Sequence, residues 1–136
     1  MSETKRKSVI YVFDDNEVMR LLMRMHLENA GYEVHVFEDA VDGARAMLGS
    51  PPDLLISDVN MPYLDGLELL DALKTDTRTA KVPTIMVTSR TDPLTEMRAV
   101  EGGAARFLTK PLDRQLLLEA VEKVLRERSP ANPPAS

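Results

Sequence analysis

Short, unbroken apolar runs alternate with stretches of helical spacing along most of this chain. Val9-Ile10-Tyr11-Val12-Phe13 is the first such run; it stops at Asp14-Asp15 and predicts a strand buried on both faces. Asn16 then offers a helix N-cap, Val18, Leu21, Leu22 and Met25 follow at helical spacing, and Gly31 ends the helix. Glu33 to Phe37 alternates polar with apolar, which predicts a second strand nearer a sheet edge. Asp39 to Leu48 has helical character, with Ala40, Ala44, Met47 and Leu48 on one side. Pro51-Pro52 breaks the chain before Leu54-Leu55-Ile56, a third buried run that ends at Ser57-Asp58.

The second half continues the alternation. Leu67 to Leu73 predicts a short amphipathic helix, and Thr84-Ile85-Met86-Val87 a fourth strand ending at Thr88-Ser89. Asp92-Pro93 marks a helix start, an acid at the cap and proline at the first helical position, and Gly102-Gly103 its end. Arg106-Phe107-Leu108-Thr109 predicts a fifth strand before Lys110-Pro111. Asp113 then caps a last helix whose inner stripe is Leu117, Val121, Val124 and Leu125. Five strands alternating with five helices call for an α/β fold, a parallel sheet covered on both faces. Right-handed crossovers make it a doubly wound three-layer sandwich.

Composition narrows the classes. At 136 residues there is room for one ordinary domain, and 43% apolar against 29% charged residues is the balance of a chain that buries a core. We divide it into a flexible polar arm over 1–8, a domain over 9–127 and a Pro/Ser-rich tail or linker over 128–136. The absence of cysteine excludes disulfides and thiolate metal sites. A net charge of −5 removes the basic footprint of a nucleic-acid binder, and Lys5-Arg6-Lys7 reads as a solubilising tail. No apolar run is long enough to span a bilayer or to serve as a signal peptide, so a soluble cytoplasmic protein is expected.

In open parallel sheets, ligands bind beyond the carboxyl ends of the strands. Here those ends carry Asp14-Asp15, Asp58, Thr88-Ser89 and Lys110-Pro111. Each alone is commonplace: an acid pair caps helices, a single Asp makes a turn, and Lys-Pro is a frequent dipeptide. Together, three carboxylates, a hydroxyl and an ammonium converge on one rim. Crowded carboxylates raise one another's pKa, and a hard divalent cation with oxygen ligands relieves the repulsion. Mg²⁺ is the natural choice and Mn²⁺ an acceptable one. Asp58 is then placed to act as a nucleophile towards a phosphoryl group, with Lys110 neutralising charge and Thr88 donating its hydroxyl.

These residues give the chain its resemblance to the response-regulator receiver family, across roughly Val9 to Leu125. The matching motifs are Asp14-Asp15, Asp58, Met61-Pro62-Tyr63-Leu64-Asp65-Gly66, Val87-Thr88-Ser89 and Phe107-Leu108-Thr109-Lys110-Pro111. The resemblance implies a flavodoxin-like sheet of strand order 2-1-3-4-5. It implies that Asp58 takes a phosphoryl group from a histidine kinase or phosphotransfer protein. Asp15 would ligate Mg²⁺ directly, Asp14 would assist, and the backbone carbonyl of Asn60 would complete the metal's shell. Lys110 would pair with the phosphoryl group, Thr88 and Phe107 would form the switch, and a cis peptide would join Lys110 to Pro111. Partners would read a changed surface on the fourth helix, fifth strand and fifth helix, where phosphorylation-dependent homodimerisation is also a family expectation. The output partner or effector is not legible; nothing suggests direct nucleic-acid or membrane binding by this domain.

Some positions fall outside this scheme. Arg90 is a large cation two residues past Thr88, where the family varies; it and Asn60 are expected to tune dephosphorylation. Gly102-Gly103 is expected to loosen the approach to the fifth strand. His26 and His35 lie at no strand's carboxyl end, and the eight methionines read as core filler. A haloacid-dehalogenase-type phosphohydrolase would want Asp-x-Asp after the first strand, but the third position is Asn16. A degenerate receiver, serving only as an interaction module, would lack the acceptor set that is present. The reading is therefore of a self-phosphorylating switch and not of a turnover enzyme.

Overall fold

The computed structural model describes residues 6–61, 64–89 and 93–128. Its elements run β1 (Val9–Phe13), α1 (Glu17–Asn29), β2 (Glu33–Phe37), α2 (Ala40–Gly49), β3 (Leu54–Asp58), α3 (Gly66–Thr75), β4 (Thr84–Thr88), α4 (Pro93–Glu101), β5 (Arg106–Thr109) and α5 (Arg114–Arg128). All pairings are parallel and the strand order is β2-β1-β3-β4-β5, the doubly wound sheet that the alternation and the resemblance imply.

The continuous apolar runs are continuous because successive side chains enter opposite layers, both of them dry. Ile10, Val12, Leu54, Ile56, Ile85 and Val87 face one way, against Met23 and Leu27 of α1 and Leu117, Val121 and Val124 of α5. Tyr11, Phe13 and Leu55 face the other, against Ala40 and Met47 of α2 and Leu69 and Leu73 of α3. Full burial of each such side chain is worth about 1.5–3 kcal/mol. The edge strand β2 alternates as its sequence does, with Val34 buried and Glu33 and His35 exposed. Helix starts are fixed by side-chain caps. Asn16 accepts the Met19 N–H at 2.9 Å, Asp39 that of Asp42 at 2.8 Å, and Asp113 that of Leu116 at 2.9 Å. Each cap contributes about 1 kcal/mol.

Several faces differ from the sequence reading. Val18, Leu21, Leu22 and Met25, the residues whose spacing announces α1, are 65%, 57%, 41% and 49% exposed. The sheet is covered instead by Met23 and Leu27, with Met19 partly buried. A 13-residue helix with apolar residues on two sides gives the right period and leaves open which side docks. In α2, Leu48 is exposed and the inner face includes Gly43, where a Cβ would overlap the ring of Phe13. Met23, Met47, Met61 and Met86 are core, whereas Met25 and Met97 face solvent, so core filler describes only part of the set. Helix α3 runs one residue earlier and two later than Leu67–Leu73. At the amino end, the Ser8 carbonyl accepts the Glu33 N–H at 3.0 Å and Arg6 reaches Asp53 at 3.3 Å. The readings made for Pro62, Tyr63, Arg90, Asp92, the first five residues and the tail from 129 lie outside the described residues.

Candidate functional site

Because every strand runs the same way, the segments after β1, β3, β4 and β5 meet at one edge of the sheet. Lys110 crosses that edge: its Nζ lies 2.9 Å from Asp14 Oδ2 and 2.9 Å from Asp58 Oδ2. Asp14 is fully buried and pinned on every side. Its N–H donates to the Phe37 carbonyl at 3.1 Å, its Oδ1 accepts the Asn16 N–H at 2.8 Å, and its carbonyl accepts from Arg20 at 2.8 Å. Asp58 Oδ1 accepts the Asn60 N–H at 3.0 Å. Asp15 stands exposed at the mouth of the site. One oxygen from each of Asp14, Asp15 and Asp58 lies within 4.8 Å of the others.

Three carboxylates against one ammonium leave this rim with excess negative charge. Burial pushes the Asp58 carboxyl above its ordinary value. The bonds from Lys110 and Asn60 oppose that shift, and the neighbouring Asp14 charge adds to it. Burial pulls the Lys110 amine down, but its bonds to Asp58 and Asp14 prevail and carry it above the usual lysine value. An all-oxygen donor set with surplus negative charge fits a hard divalent cation. Asp14 spends one oxygen on Asn16 and the other on Lys110, and Asp58 one on Asn60 and the other on Lys110, so Asp15 has the freest carboxylate of the three.

The switch candidates sit beside this cluster. Thr88 is buried at the end of β4, its carbonyl accepting the Lys110 N–H at 2.8 Å and its Oγ1 accepting from Asn60 Nδ2 at 3.2 Å. The ladder pairs Met86 with Phe107 and Thr88 with Thr109, so Phe107 and Thr88 are diagonal neighbours on one face of the sheet. Phe107 is half-buried against the cluster of Val59, Leu70, Met86 and Ala99. The Lys110–Pro111 peptide is cis. His35 pairs with Glu33 at 2.7 Å on the edge strand, and His26 lies within α1; neither joins the rim.

A family model described as the response regulator receiver domain matches residues 10–122. The chain belongs to the response-regulator receiver family. It is 35% identical over 125 residues to the transcriptional regulatory protein FixJ of Bradyrhizobium diazoefficiens, covering 92% of this chain and 60% of that protein. It is 31% identical over 123 residues to the phosphate regulon transcriptional regulatory protein PhoB of Pseudomonas aeruginosa, covering 90% and 54%. The chemotaxis protein CheY4 of Vibrio cholerae superposes with a TM-score of 0.83 at 28% identity, covering 88% of this chain and 99% of that one. This receiver spans about half the length of the curated relatives it matches. Among its described residues, no helix is long and apolar enough to cross a membrane.

Three features of the receiver's site were not legible in advance. Arg20, one turn into α1, holds the Asp14 carbonyl, yet a surface arginine on a helix carries no motif. The Asn60 amide reaches Thr88 across 28 residues of sequence, a contact only the fold creates. Gly66 starts α3 where a Cβ would meet the Asp58 carbonyl at 2.6 Å, and backbone cannot give way there. The Met-Pro-x-x-Asp-Gly pattern flagged this glycine, but not the close approach that requires it.

Proposed function

We propose that this receiver takes a phosphoryl group on Asp58 from a histidine kinase or phosphotransfer protein, in a reaction that needs Mg²⁺. The observation that carries the reading is the Asp58 carboxylate, 6% exposed, with one oxygen on Lys110 and the other on the Asn60 N–H. Its raised pKa marks a carboxylate that is under-stabilised at rest and gains from reacting with an electrophile. One carboxylate oxygen forms the new P–O bond while the P–N bond of the donor's phosphohistidine breaks. The imidazole leaves and takes up a proton. Lys110 follows the charge from carboxylate to phosphoryl oxygen. Asp14, Asp15, Asp58 and the Asn60 carbonyl would hold Mg²⁺, or Mn²⁺, which when bound supplies positive charge against the phosphoryl oxygens.

The acyl phosphate adds about −1.5 to −2 charges at the rim. The Thr88 hydroxyl turns towards it, and the ring of Phe107 follows into the space released. The surface of α4, β5 and α5 then shifts between two populated arrangements. On α4 that surface exposes Leu94, Met97 and Val100, the apolar material an output partner, effector or second copy would cover. With a chain charge of −5, direct contact with nucleic acid by this domain is not part of the reading. It is a cytoplasmic switch, not a turnover enzyme.

Intact-protein mass after incubation with acetyl phosphate tests this. Wild type should gain one phosphoryl group only with Mg²⁺, and Asp58→Ala should gain none. An adduct that persists in the variant would assign the wrong acceptor. A wild type that binds Mg²⁺ and gains nothing would leave an interaction module.

A further inference from the structure

We propose that the Asn60 side chain latches Thr88 in its resting arrangement and so sets how much unphosphorylated protein adopts the switched one. The inference rests on the reading of Thr88 as the switch hydroxyl. Asn60 touches both ends of the device: its main-chain N–H donates to Asp58 Oδ1 at 3.0 Å, and its Nδ2 to Thr88 Oγ1 at 3.2 Å. The two bonds divide the residue's work. The backbone N–H serves the phospho-acceptor and survives truncation of the side chain to alanine, whereas the side-chain amide serves Thr88 and is lost on that truncation.

Thr88 is suited to being held this way. Its main chain is held in the sheet, with the carbonyl accepting the Lys110 N–H at 2.8 Å, and the motion proposed for it is a rotation of the side chain. The amide bond belongs to the resting position of Oγ1. Swinging that oxygen towards a phosphoryl group on Asp58 gives up the bond, and the loss weighs against switching until the new acceptor is present. Asn60 is exposed, so its truncation opens no cavity. Removing the amide should shift the resting equilibrium by about two- to tenfold, the net worth of one hydrogen bond.

The test is amide NMR of the full chain with Mg²⁺, using beryllofluoride as the phosphoryl mimic that defines the switched end. Without beryllofluoride, Asn60→Ala should displace the Thr88 and Phe107 resonances towards that end by the stated factor. Urea unfolding of Asn60→Ala, Thr88→Val and the double variant should give a non-zero coupling between the two sites. Resonances that stay at the wild-type position, or a coupling of zero, overturn the latch and leave the receiver reading intact. Beryllofluoride that fails to move the wild type overturns that reading, and the latch with it.

Discussion

In the proposed function, Asp58 is a residue on which activity and stability pull in opposite directions. Its folded-state pKa lies above the ordinary value of 3.8, chiefly through burial. A raised carboxyl pKa means that the folded state holds the proton more tightly than the unfolded chain. The resulting stabilisation is full below the unfolded value and is lost as pH rises through the folded one. At pH 7 the ionised Asp58 therefore opposes folding. Asp58→Asn should raise the Tm by a few degrees, and the gain should shrink as pH falls towards 4. Lys110→Met should move Tm the other way at pH 7, since it leaves Asp14 and Asp58 without their shared cation. Thermal melts across pH check both, and an Asp58→Asn protein that is less stable at neutral pH contradicts the account. The positions of Asp14, Asp58, Thr88 and Lys110 were legible in the sequence for one reason. A parallel sheet sends every strand end to the same rim, so residue type and strand order are enough. The Arg20 and Asn60 side-chain contacts were not, because they depend on rotamers and on segments far apart in the chain.

At the scale of the element, periodicity told helix from strand but not which face of α1 turns inward. Val18, Leu21, Leu22 and Met25 share the helical period with Met23 and Leu27, and the sheet chose the latter pair. Strands posed no such ambiguity where they are buried on both faces, which is why β1, β3 and β4 were recognised from continuous runs. The outer stripe of α1 begins three residues after Asp15, beside the mouth of the acidic site. In the proposed reaction a phosphohistidine approaches Asp58 across that mouth, and the element presenting it would rest on whatever adjoins the rim. We therefore expect Leu21→Glu with Leu22→Lys to slow phosphotransfer from a histidine donor by about tenfold or more, as loss of an interface anchor does. Transfer from acetyl phosphate, which needs no docking surface, should stay within about twofold. The Tm should change little, because both side chains already face water. Equal slowing with both donors would mean that the stripe acts through the site's geometry and not through docking.

For the whole molecule, the proposed cation at the acidic rim would link metal binding to folding. A cation that binds only the assembled cluster stabilises the folded state by mass action, about 2.7 kcal/mol at a concentration one hundred times its Kd. The unfolded chain holds Asp14, Asp15 and Asp58 apart, so the linkage belongs to the fold and to no single residue. Calorimetry should show Tm higher in Mg²⁺ than in EDTA. Asp58 belongs to the cluster that would hold Mg²⁺, so the Mg²⁺ gain and the Asp58→Asn gain act on the same carboxylate and should not add. In Asp58→Asn, one of the three candidate ligands has lost its charge. The increment from Mg²⁺ should therefore fall well below that of wild type. An equal increment in the two proteins would place the cation elsewhere on the surface. A smaller one ties the destabilised carboxylate, its ammonium partner and the metal into one charge balance, held together by the strand order β2-β1-β3-β4-β5.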